Sequence, residues 1–87
     1  MTSISFNTDC LKTEIDDEII VLNTNTGKYL KLNSSSKFIL NCIENHLDEK
    51  EILKKICSYY NVSESNAELS LKKFVKAALE KNIIHKN

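Results

Sequence analysis

Residues Asp17–Phe38, DEIIVLNTNTGKYLKLNSSSKF, decide how this chain folds. Two β-rich runs, Glu18–Asn23 and Lys28–Asn33, flank a turn of Asn, Thr and one glycine, Gly27. Glycine takes positive φ without steric cost, and this is its single use in the chain, so the pattern predicts a β-hairpin. In the second run Leu30 and Leu32 share one face and Tyr29 and Lys31 the other, with the leucines expected inward. The strand then ends in Asn33 followed by three serines, a helix-start signal. A short sheet whose last strand feeds straight into helices leaves one sheet edge free, and a free edge can accept an extended peptide.

Upstream, Cys10–Ile15 alternates weakly and reads as a further strand, while residues 1–8 are polar and read as a loose start. Downstream the periodicity changes from two to 3.6. A first helix is predicted over Ser35–Leu47, with apolar residues on more than half its circumference, as in a helix covered on two sides. Asp48 and Glu51 have capping-box spacing and open a second helix, Glu49–Tyr60, with Ile52, Leu53, Ile56, Cys57 and Tyr60 on one face. Asn61–Val62–Ser63 forms a short link, with Val62 turned toward the core. Ser63 or Ser65 then caps a third helix that runs to Lys81. Ala67, Leu71, Phe74 and Ala78 form its core stripe, and Asn82 suits the left-handed position that ends a helix. Ile83–Ile84 would tuck back as a tail. Beside the core stripe lie Val75 and Leu79, with Lys72 and Lys76 just past them. That flank either covers the hairpin or lines a groove.

Three strands followed by three helices make an α+β domain of winged helix-turn-helix type, and 87 residues make one such domain, 1–87. Twelve lysines balance twelve acids and there is no arginine, which argues against nucleic acid as a partner. The charge is uneven: acids gather between Asp9 and Glu18, lysines from Lys72 onward. Cys10, Cys42 and Cys57 have no metal-ligand spacing and an odd count, so they read as thiols in a reducing cytoplasm. No signal peptide or apolar run of transmembrane length is visible. His46 and His85 have no ligand or catalytic partners at useful spacing, Ser34–Ser36 lack a nucleophile elbow, and one glycine makes no phosphate loop. The sequence therefore predicts no catalytic residue, metal or cofactor.

The order and spacing of several segments resemble the PqqD-like family of peptide-recognition elements. They are Tyr29-Leu30-Lys31-Leu32-Asn33, Ser34–Ser36 with Phe38-Ile39-Leu40, Leu53–Ile56 before Tyr59-Tyr60-Asn61-Val62, and Leu71–Phe74 through Leu79-Glu80 to Asn82-Ile83-Ile84. Asn82 stands where relatives commonly have glycine. The resemblance implies a non-catalytic protein that binds the leader segment of a ribosomally made precursor peptide. It would present that leader to a modifying enzyme, such as a radical SAM enzyme, a leader peptidase or a cyclase. The leader would add a strand to the third strand and pack between it and the third helix. On this chain that implies backbone pairing along Lys28, Tyr29, Leu30, Lys31 and Leu32. Apolar contacts would come from Tyr29, Val75 and Leu79, and Lys31, Lys72 and Lys76 would steer acidic leader residues. Two other readings remain open: a structural module that dimerises through its strand edge, and a small winged-helix DNA-binding regulator.

Overall fold

The computed structural model describes residues 4–86. Its elements are β1 (Ile4–Phe6), β2 (Cys10–Ile15), β3 (Glu18–Asn23), β4 (Tyr29–Leu32), α1 (Ser34–Glu44), α2 (Glu49–Tyr60), α3 (Glu64–Glu80) and β5 (Ile84–Lys86). Strands β2, β3 and β4 form an antiparallel sheet in that order, and the three helices follow, as the sequence predicts.

Local chemistry sets the boundaries. The β2–β3 turn is two residues, with Asp16 at φ 57°, a conformation Asp tolerates better than most residues. The β3–β4 loop closes with Gly27 at φ 75°, its N–H donating to Asn23 O at 2.8 Å. Asn33, rather than a serine, caps α1, accepting from the Ser36 N–H at 2.8 Å. Asp48 and Glu51 complete a reciprocal capping box on α2 (2.8 and 3.1 Å). Ser63, one of the two candidate serines, caps α3. α1 stops at Glu44, short of the predicted Leu47, because His46 turns left-handed at φ 65° and the Leu47 N–H closes back on Cys42 O. Asn61 and Asn82, at φ 53° and 57°, do the same for α2 and α3.

The ends of the chain differ from the sequence expectation. Ile4–Phe6 is a strand paired antiparallel with Ile84–Lys86, in place of a loose start and a simple tail; residues 1–3 of that segment lie outside the described residues. The reason is burial: Ile4, Ile83 and Ile84 all enter the core, and pairing satisfies the backbone that must accompany them. A polar clasp holds this ribbon to the sheet. The carbonyl of Asn82 accepts from Asn7 Nδ2 (2.9 Å), Asn23 Nδ2 (2.9 Å) and the Cys10 thiol (3.6 Å). Asn23 is the one buried polar side chain among the described residues, and its Oδ1 also accepts from the N–H groups of Asn25 and Thr26.

The core lies between the inner sheet face and the helices. Val21 and Leu32 from the sheet meet Ile39, Leu40 and Ile43 of α1, Ile52 and Ile56 of α2, and Ala67, Leu71, Phe74 and Ala78 of α3. All four predicted core residues of α3 are buried. Val62 is not drawn in; it stays 37% exposed because the left-handed Asn61 turns the link outward. Cys42 and Cys10 are buried and Cys57 is half-buried, all three as free thiols. Burial raises the thiol pKa of both Cys10 and Cys42, with Asp9 adding to the first and Lys55 opposing the second.

Candidate functional site

Strand β4 is an edge strand, with β3 on one side and no strand on the other among the described residues. Its register decides which backbone groups are free. The Asn23 N–H donates to Lys28 O at 2.8 Å, so residues 23 and 28 form a hydrogen-bonded pair. Antiparallel pairs alternate between bonded and non-bonded, so Val21–Leu30 and Ile19–Leu32 are bonded pairs and Leu22–Tyr29 and Ile20–Lys31 are not. The N–H and C=O groups of Tyr29 and Lys31 therefore point away from β3, toward the open edge. Of the predicted run Lys28–Leu32, these two residues can pair with an added strand, while Leu30 and Leu32 spend their backbone groups on β3; the Lys28 C=O accepts from Asn23 and its N–H donates to Thr26 Oγ1 at 3.2 Å.

Side chains alternate in the other direction. Leu32 is buried and Leu30 half-buried on the inner face, as predicted. Tyr29 is 62% exposed on the outer face, in a cross-strand row with Leu22 and Leu11. Lys31 shares that face and donates to Glu18 at 2.9 Å, which raises the lysine pKa through the hydrogen bond and the nearby charge.

Beside the edge runs a cleft of about 280 Å³ between β4, the start of α1 and α3. Leu30, Leu32, Ile39 and Phe74 make its apolar floor, and Ser70, Lys73 and Ala77 are its wall on α3. Ser35 and Ser36 close one end. Lys73 is exposed and has no ion-pair partner among the described residues, so its charge is available to a ligand in the cleft.

The α3 residues named from the sequence are not in this cleft. Val75, Leu79, Lys72 and Lys76 line a separate hollow of about 540 Å³ against α2, with Leu53 and Leu71 in its floor. At 100° per residue, the Ser70–Lys73–Phe74–Ala77 flank and the Lys72–Val75–Lys76–Leu79 flank lie roughly half a turn apart. Val75 is buried and Leu79 half-buried there, and neither covers the hairpin. Lys72 is engaged by Glu68 at 2.9 Å, one turn back on the same helix, and its pKa is raised by that bond. Of the residues named from the sequence, those of the strand border this cleft, whereas Ser70, Lys73 and Ala77, which line it on the helix, were not among them. Lys73 was visible in the sequence as one of the basic residues of α3, but its flank carries little apolar signal.

Among the described residues, no three His, Cys, Asp or Glu side chains gather as a metal site, and no helix is long and apolar enough to cross a membrane. An open strand edge over an apolar cleft, on a winged-helix-like frame, defines a class of domain with the geometry to accept an extended peptide as an additional strand. Within that class, the family model for coenzyme PQQ synthesis protein D, PqqD, matches residues 18–84, and the chain belongs to this family. No curated protein matches it significantly. Two solved structures share the fold. One, described as TbiB1 in complex with the TbiA(beta) leader peptide, is 27% identical with a TM-score of 0.83, covering 93% of this chain and 94% of that one. The other, described as lasso peptide synthetase B1 complexed with the leader peptide, is 17% identical with a TM-score of 0.83, covering 95% and 98%.

Proposed function

We propose that this protein is a non-catalytic recognition element that binds the leader segment of a ribosomally made precursor peptide and presents it to a modifying enzyme. The observation that carries the reading is the open β4 edge above the β4–α3 cleft, in a PqqD-family chain whose fold matches a solved leader-peptide complex. The leader lies along Tyr29 and Lys31, exchanging backbone hydrogen bonds with both. Alternate leader side chains then drop onto Leu30, Ile39 and Phe74, and an acidic leader residue meets Lys73. Backbone pairing supplies affinity with little sequence preference, and the cleft supplies the preference. A disordered leader loses entropy on ordering, so affinity of roughly micromolar or somewhat tighter is expected.

Lys72, Val75, Lys76 and Leu79, the α3 contacts first inferred from sequence, belong to the other flank and have no direct part in this mode of binding. An amide NMR titration with the leader half of the precursor peptide tests both points. Shifts at Tyr29–Leu32, Ser70, Lys73 and Ala77, with Lys76 and Leu79 quiet, support the assignment. Shifts confined to Lys72, Val75, Lys76 and Leu79 would move the leader to the α2–α3 side, and none at saturating peptide would refute leader binding.

A further inference from the structure

The hollow between α2 and α3 has a composition that leader binding does not use. Leu71, Val75 and Leu79 follow one another at steps of four, a line of about 12 Å at 1.5 Å per residue. Leu53 of α2 faces them across the groove. The line suits about two turns of a helix lying between two helices. Around it stand Lys50, Lys72, Lys76 and Lys86, with Glu49 and Glu68. Glu68 is taken by Lys72, whereas Lys50, Lys76 and Lys86 have no ion-pair partner among the described residues. The groove continues past Leu53 to Cys57, where Lys54 adds another unpaired ammonium and Glu64 an acid. An apolar floor inside a rim with surplus positive charge is complementary to an apolar helix flanked by Asp or Glu.

We propose that this hollow docks an acidic amphipathic helix of the modifying enzyme that receives the leader. The proposal rests on the leader-binding reading for the identity of the partner. Its own support is that α3 separates the two concavities: the cleft and the hollow share no lining residue and lie on opposite flanks of one rigid helix. A leader on β4 and an enzyme on α2–α3 therefore do not compete, and α3 sets the distance between them.

The test uses the full chain, the leader peptide and the purified modifying enzyme encoded with the precursor, with enzyme and leader affinities measured separately. Lys50→Glu with Lys76→Glu changes exposed rim residues only. It should weaken enzyme binding by at least about tenfold near 50 mM salt and flatten its salt dependence. Leader affinity should stay within about twofold, since neither position lines the cleft. Leu79→Ser should weaken enzyme binding without changing its salt dependence. Unchanged enzyme affinity in both variants overturns the proposal, as does an enzyme that does not bind the wild-type chain. A further overturning result is self-association that only the rim variants abolish, which would assign the hollow to the acidic Asp16–Glu18 turn of a second copy. Loss of leader binding in the wild type refutes the leader reading instead, and the enzyme titration distinguishes that case.

Discussion

Proline at Lys31 is the sharpest perturbation of the strand edge. The Lys31 N–H points away from β3, so replacing it removes no hydrogen bond of the hairpin, and edge strands accept proline where the N–H faces outward. The preceding Leu30 is already extended, as a residue before proline should be. The Lys31–Glu18 pair is lost too, but both partners are exposed and such pairs contribute little. For an added leader strand the effect is large. One lost backbone bond is worth about 0.5–1.5 kcal/mol net, and a leader carbonyl left facing the proline ring costs about 1–3 kcal/mol more. The sum, about 1.5–4.5 kcal/mol, corresponds to roughly 10- to 1,600-fold weaker binding. Leu30→Pro is the control, because the Leu30 N–H bonds to β3. It should melt roughly 10–30 °C lower or fail to fold, whereas Lys31→Pro should stay within about 5 °C of wild type. Calorimetric titration with the leader and thermal melting by circular dichroism read the two effects. Wild-type leader affinity in Lys31→Pro would refute strand addition at this edge. A Lys31→Pro melt as low as that of Leu30→Pro would refute the register.

Four further outcomes follow from the fold. Asn23→Ala removes the buried link to Asn82 O and the two loop contacts at Oδ1; a loss of about 2–3 kcal/mol, roughly 10–20 °C in Tm, is expected by thermal denaturation. Gly27→Ala should cost about 1 kcal/mol in a urea titration, and Gly27→Asn less, because nothing lies within 4 Å of the added Cβ and the penalty is that of the positive φ alone. Thiol labelling near neutral pH should modify half-buried Cys57 first, with Cys10 and Cys42 reacting only on opening. Because their thiol pKa values are raised in the fold, the unfolded chain loses those protons first, so stability should fall as pH rises above about 8.5. A denaturation series in reductant that is flat across this range would contradict the burial of the two thiols.

The parts of the fold that could be read in advance are those fixed by short-range chemistry. Gly27, the Asp48–Glu51 box and Asn82 each satisfy a local backbone requirement, and each acts as its residue type dictates. The β1–β5 ribbon was not readable in this way. Its strands are three residues each and pair across almost the whole chain, so neither has enough alternation to announce a partner. Asn23 read as the last residue of its strand and is so, but its link to Asn82 depends on tertiary structure that no local pattern contains.

The site divides along the same line. Alternation in β4 assigned Leu30 and Leu32 inward correctly, and the same alternation places Tyr29 on the outer face, away from the cleft. For α3, a 100° period fixes which residues share a face but not which neighbour that face meets. The three-residue link after α2 turns at Asn61 and lays α3 against α2, so its bulkier flank, Leu71, Val75 and Leu79, faces that helix. The flank left toward β4 is Ser70, Lys73 and Ala77 around Phe74. Hydrophobic periodicity favours bulky residues, and bulky residues fill space. A cleft that must admit a peptide has to be walled by small or flexible side chains. The flank that would meet a leader in the proposed mode is therefore the one with the weakest apolar signal, and it becomes visible only when the strand it faces is in place.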